Sequence, residues 1–275
     1  MPKYETPYEP SSTPKDLETV IYEKKGHIAI ITHNRPEARN AMSQQLHLDL
    51  HACWKDVGLD PNIWVAIVTG KGEAFCAGRD VKELAQYQKM GERIPRNDPS
   101  SPLYKKRGFP DEQNLRKPWI AALNGFACGG GLHYVLLSDL RVMAEDAWLG
   151  DQHTHVGQLG SPDLIYRAIP RVLAAYMTLC NGRLSAQECY QFGIVNKVVP
   201  KEQVLSEAMK LAEMICEASP VACQASKRIY NLAMKRDPVM DDLGQQLDIM
   251  CRESEDGAEG PRAFTEKRKP VWKNG

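Results

Sequence analysis

Apolar positions along the chain follow two rhythms, and the switches between them mark its elements. Val20–Glu23 and His27–Thr32 read as short strands around a turn at Lys24–Gly26. Asn34-Arg35-Pro36 interrupts them. Ser43 can cap a helix running to about Val57, with Leu46, Leu50 and Trp54 on one face. Ile63–Thr69 is a nearly continuous run rich in β-branched residues, closed by Gly70, as expected of a strand covered on both faces. Residues 81–90 suggest a helix, and 91–112, rich in Pro, Arg and Lys, a long surface loop. Pro118–Leu123 repeats the buried-strand pattern, followed by a glycine cluster, an apolar helix at Leu132–Leu137 and a third strand at Leu140–Ala144. Helices at 163–181 and 185–192 and a strand at Ile194–Val199 come next. From Glu202 the helical period persists, broken at Pro220 and Pro238. Strands alternating with helices, then giving way to helices alone, predict an α/β fold. Its parts are a loose arm at 1–18, a core at 19–200 and a helical C-terminal region at 201–275.

Composition narrows the function classes. Thirty-five basic and 35 acidic residues cancel, so no overall field draws the chain to nucleic acid or an anionic membrane. Apolar runs are too short to span a bilayer, and the first residues lack a secretory h-region. Eight scattered cysteines without a CxxC pair read as free thiols, partly buried, in a reducing cytoplasm. The expectation is a cytoplasmic enzyme without nucleic-acid or membrane partners.

Two glycine-bearing turns carry candidate chemistry. Ala74-Phe75-Cys76-Ala77-Gly78-Arg79-Asp80 follows the strand at 63–69, and Asn124-Gly125-Phe126-Ala127-Cys128-Gly129-Gly130-Gly131 lies between a strand and a helix. Neither fits a phosphate-binding pattern. Glycines at a helix start let a ligand approach backbone N–H groups closely, and two such loops could build an oxyanion hole.

With these motifs the chain resembles the enoyl-CoA hydratase/isomerase (crotonase) superfamily from about Thr19 to Lys273. Further carriers are Asn34-Arg35-Pro36-Glu37-Ala38-Arg39-Asn40-Ala41, Ser138-Asp139-Leu140, the stretch Ala186–Val199 and Ala263-Phe264-Thr265-Glu266-Lys267-Arg268-Lys269. The resemblance implies a crotonase-like spiral of ββα units with a helical C-terminal trimerisation region, assembled as a homotrimer or hexamer. Trp54, Phe264 and Trp272 are candidate surface apolar groups for that assembly. It implies an acyl-CoA substrate and no separate cofactor or metal, coenzyme A being part of the substrate. The oxyanion donors would be the N–H groups of Ala77 and Gly130. Coenzyme A would lie along Arg35, Arg39, Ala77, Arg79 and Asp80, with Phe264 and Lys267 at its adenine end.

The chain departs from that family at the acid–base groups. The hydratases carry one glutamate just after the triple glycine and another twenty residues on. Here His133 and His153 stand at those positions. Asp151, His155 and Asp163 lie close by in sequence. An imidazole ordinarily titrates near neutrality and suits proton transfer, and a carboxylate can fix its tautomer. His133, His153, Asp163 and Asp151 are therefore the candidate catalytic set. His155 would point away from His153 in an extended segment. His27, His33, His47 and His51 are expected on strand and helix surfaces without chemistry. Three readings follow. One is an enoyl-CoA hydratase/isomerase-like lyase with His in place of both glutamates. Another is a retro-Claisen C–C hydrolase of a β-oxo substrate, in which Asp163 orients His153. The third is a non-catalytic coenzyme A-binding or metal-binding paralogue, with His133, His153, Asp151 and Asp163 converging on zinc.

Overall fold

The computed structural model describes residues 13–98, 100–103, 108–110, 115–160, 162–233, 246–247 and 249–272. The core is a six-stranded sheet in the order β1 (Val20–Lys25), β2 (Ile28–His33), β3 (Val65–Gly70), β5 (Trp119–Leu123), β7 (Leu140–Ala144) and β10 (Lys197–Val199). Only the β1–β2 pair is antiparallel. A second sheet runs β4 (Ala74–Cys76), β6 (Phe126–Cys128), β8 (Trp148–Gly150) and β9 (Arg183–Ser185), with β8–β9 antiparallel. β3, β5 and β7 each feed a strand of the second sheet, and α2 (Val81–Met90), α3 (Gly130–Leu136) and α4 (Pro162–Ala168) follow those strands. The expected spiral of ββα units is thus present. Its second sheet lay hidden in the sequence because strands of three residues leave no readable alternation.

α1 (Gln44–Leu59) begins at Ser43, whose hydroxyl accepts from the Leu46 N–H at 3.2 Å. One continuous helix was expected at 163–181. Instead α4 ends and α5 (Arg171–Cys180) begins around Pro170, which lacks the N–H a helix interior needs and pushes its predecessor out of helical geometry. Ile194 closes α6 (Ala186–Gln191) through its N–H to Cys189 O at 2.8 Å, so the strand there is confined to Lys197–Val199. The C-terminal region holds α7 (Val204–Glu217), α8 (Pro220–Ala233) and α9 (Glu255–Thr265). The helix break expected at Pro238 lies outside the described residues. Among the described residues no helix is long and apolar enough to cross a membrane.

Three sequence expectations are corrected here. Trp54 is buried rather than exposed: its indole N–H donates to Tyr134 Oη at 2.6 Å, and Trp119 packs on both rings. This cluster seats α3, and with it His133, on the main sheet. His33 and His47 are likewise buried. His47 Nδ1 accepts from the Gly108 N–H at 2.9 Å, and His33 Nδ1 bonds Phe75 O at 3.2 Å.

Burial lowers the His33 pKa to about 4, partly opposed by its bond to the Phe75 carbonyl. The unfolded chain takes up a proton at His33 below about pH 6.5, while the fold resists until about pH 4. Its contribution to stability is therefore full above pH 6.5 and falls as pH drops through that window, by about 3 kcal/mol. Urea unfolding at pH 7 and pH 4 checks this. His33→Phe should flatten the slope, and an unchanged slope in that variant would refute the assignment.

Candidate active site

The site is assembled where the two glycine turns meet. After β4 the chain turns at Gly78, whose φ of +89° disfavours any side chain. Arg79 then forms a short parallel bridge with Met42, in which Met42 N–H donates to Gly78 O at 2.7 Å and Asp80 N–H to Met42 O at 3.3 Å. In such a bridge the N–H and C=O of Arg79 itself point to the opposite side. That side carries Gly130. A Cβ built on Gly130 would lie 3.8 Å from Gly78 Cα and 3.9 Å from Arg79 N. One built on Gly78 would lie 3.2 Å from Gly130 N and 2.8 Å from Cys128 O. One on Gly131 would collide with Cys76 O at 2.2 Å. Gly78 and Gly131 are thus required by close approach of two backbones, whereas a Cβ on Gly130 would make only ordinary contacts.

The expected donor Ala77 is corrected by this geometry. Its N–H donates to Arg39 O at 3.0 Å and is committed to holding the 35–41 segment. The N–H placed beside Gly130 is that of Arg79, two residues on. The residue after the positive-φ glycine was the available signal, but that φ is not readable from sequence.

The expected coenzyme A residues divide. Arg35 pairs with Asp80 at 2.9 Å and also donates to Ala41 O, clasping the Arg79 segment from behind. Arg39 pairs with Glu73 at 2.7 Å on the exposed surface. Asn40 and Asn124 both bond Ala74 O, at 2.8 and 3.2 Å, and so fix the β4 approach. Phe264 and Lys267 stand exposed at the end of α9.

The two histidines come together. His133, on the first turns of α3, and His153, after β8, stack with ring centroids 5.0 Å apart and planes 17° from parallel. Asp151, with 1% of its side chain exposed, bonds His153 Nδ1. A carboxylate there keeps the proton on Nδ1 and leaves the Nε2 lone pair for chemistry. The Cε1–Nε2 edge faces the glycine turn, 3.7 and 4.0 Å from a Cβ built on Gly129. Gly160, at φ +73°, crowds the opposite edge: a Cβ there would lie 2.5 Å from Nδ1. The imidazole is therefore held in one orientation. Thr154–Val156 form a 3-10 turn rather than the extended segment expected, and His155 is exposed on it.

Asp163 does not take the orienting role expected of it in the hydrolase reading. It sits in the first turn of α4 and pairs with Arg167 at 3.7 Å, while Asp151 occupies Nδ1 of His153. Of the four residues in the zinc reading, His133, Asp151 and His153 bring ligand atoms within 4.8 Å of one another, while Asp163 is not part of that cluster. Burial pushes the thiols of Cys76 and Cys128 up to about 12 and 11, which disfavours their thiolates.

Comparison with known proteins gives one family. The profile described as enoyl-CoA hydratase/isomerase matches residues 23–275. The chain is 34% identical over 262 residues to the (E)-benzylidenesuccinyl-CoA hydratase of Thauera aromatica, covering 92% of this chain and 98% of that protein. It is 34% identical over 266 residues to a carnitinyl-CoA dehydratase of Salmonella enteritidis, covering 93% and 98%. A crystal structure of carnitinyl-CoA hydratase from Mycobacterium avium superposes with a TM-score of 0.81 at 32% identity, covering 94% of this chain and 99% of that one.

Proposed function

We propose that this chain, which belongs to the enoyl-CoA hydratase/isomerase (crotonase) family, is an acyl-CoA lyase of the hydratase/dehydratase kind whose protons are moved by imidazoles. Relatives named as a hydratase and a dehydratase support the addition or removal of water. The observation that carries the proton-transfer assignment is the Asp151–His153 pair stacked on His133 against the glycine turn.

The thioester oxygen sits between the N–H groups of Arg79 and Gly130, where one such donor is worth about 3–4 kcal/mol to the transition state. In the hydration direction His153 Nε2 removes a proton from water as its oxygen bonds the β-carbon. The double-bond electrons move toward the thioester oxygen, forming an enolate. His133, entering protonated, gives its proton to the α-carbon, and solvent carries the surplus proton from His153 back to His133. Asp151 stabilises the imidazolium that forms on His153. Elimination runs the same steps backward. The hydrolase reading drew on Asp163 as partner of His153, and with Asp151 in that place nothing favours it.

Assembly as a homotrimer or hexamer belongs to the same proposal. Val221 and Ile229 on α8, Phe264 on α9 and Trp272 expose 76, 68, 56 and 44% of their surface, which suits subunit contacts in the C-terminal region. Phe264 and Lys267 would then meet the adenine end of coenzyme A across such a contact.

A panel of enoyl-CoA and 3-hydroxyacyl-CoA thioesters, followed by mass spectrometry of the acyl product, tests the reaction class. Gain or loss of one water on at least one thioester is expected. Thioester cleavage or carbon–carbon cleavage as the sole reaction would overturn the lyase assignment.

A further inference from the structure

Asp151 leaves one oxygen unspent. Its side chain is 1% exposed, and Oδ1 bonds His153 Nδ1, while Oδ2 is buried and meets no hydrogen-bond donor among the described residues. A buried carboxylate oxygen without a partner is costly, and a cation is one group that answers it. The two rings nearby are donors of a suitable kind. His133, Asp151 and His153 can each offer one ligand atom, with all three atoms within 4.8 Å of one another. We propose that these three residues bind a divalent cation of the zinc class, and that an ion held there shuts off proton transfer. The proposal rests on the acyl-CoA lyase reading above and concerns the regulation of that same site.

The donor set selects the ion. Two imidazole nitrogens and one carboxylate suit zinc and its neighbours among the transition metals, whereas calcium and magnesium take oxygen ligands. A tetrahedral zinc ion with ligands at about 2.0–2.1 Å draws them to roughly 3.3 Å from one another. Gly129 and Gly160 fence the His153 ring, so the closing movement falls to His133 and Asp151. Cys128 stays out of the set, because its Sγ donates to Ala77 O at 3.2 Å and burial disfavours its thiolate. Three protein ligands leave the fourth position of the ion to water. An ion so held takes the nitrogen lone pairs that the lyase steps need. His153 can then accept no proton from water, and His133 can carry none to the α-carbon. Zinc and protons compete for the same nitrogens, so a chelator should reverse the block.

Zinc chloride titrated by calorimetry into the full chain, first stripped with EDTA, tests the site. One ion per chain is expected to bind. Its affinity should fall at least about tenfold in Asp151→Asn, which keeps the shape of the side chain, and in His133→Gln. His155→Ala removes an exposed imidazole two residues from His153 and should bind zinc as the wild type does. Stripped wild-type protein is expected to be active on the best thioester of the panel, to lose that activity as the site fills and to regain it with EDTA. The proposal is overturned if no ion binds. It is also overturned if Asp151→Asn and His133→Gln bind zinc as tightly as the wild type, since the ion would then lie elsewhere. Zinc-loaded protein that keeps its activity would refute the block, and so would activity that stripping abolishes and zinc restores, the ion then being a cofactor. Protein that binds zinc through these residues but adds or removes water on no thioester would keep the metal site and bring down the lyase reading.

Discussion

Replacing His153 with Ala is expected to lower kcat by about 10²–10⁴, the usual worth of a positioned acid or base. Affinity for the thioester should change little, because Arg79 and Gly130 donate from the backbone. Asp151→Asn should fall in the same range although it leaves the imidazole in place. An amide at 151 no longer fixes the proton on Nδ1 and cannot stabilise the imidazolium. Asp163→Asn should retain most activity, since Asp163 pairs with Arg167 on α4. Steady-state kinetics on the best substrate of the panel, with calorimetry for binding, separates these roles. A residue that merely supported the fold would raise KM and lower thermal stability together, whereas a proton-transfer group lowers kcat alone.

The second large effect is expected at Gly78. Gly78→Ala places a Cβ at a φ of +89°, 2.8 Å from Cys128 O and 3.2 Å from Gly130 N. The two turns must part to accept it, and the Arg79 and Gly130 donors lose their common target. Loss of one donor predicts a fall in kcat of about 10²–10³. Strain and forced separation should cost about 1–3 kcal/mol of stability. Gly26→Ala is the matched control. Gly26 also has positive φ, +58°, but nothing lies within 4 Å of the added carbon. It should lose about 1 kcal/mol of stability and no activity. Equal kinetic losses in the two variants would show that backbone strain alone, rather than the hole, explains Gly78.

The sequence was legible where burial writes a pattern, and silent where geometry alone decides. β3 and β5 stood out as apolar runs because both their faces are covered, and α1 because its capping serine and apolar face agree. β4, β6 and β8 did not, since three residues held by pairing need no pattern. The histidines at 133 and 153 were visible as departures from the family's glutamates. Which carboxylate serves His153 was not. Asp151 and Asp163 are both near it in sequence, and only the fold shows one bonded to Nδ1 and the other paired with an arginine. The donor was misplaced by two residues for a similar reason: Ala77 and Arg79 flank the same glycine, and only backbone direction separates the N–H bonded to Arg39 from the one beside Gly130.

The most direct measurement needs no knowledge of the natural acyl group. An enolate held by Arg79 and Gly130 exchanges its α-protons with solvent, even in a saturated thioester that cannot be hydrated. Butanoyl-CoA incubated with the enzyme in deuterium oxide and analysed by mass spectrometry reads this exchange. Wild-type protein is expected to introduce deuterium at the α-carbon, Asp163→Asn to do so at a similar rate, and His133→Ala, which removes the group that serves the α-carbon, to lose it. Exchange that continues undiminished in His133→Ala, or that is missing from folded wild-type protein, would contradict the account.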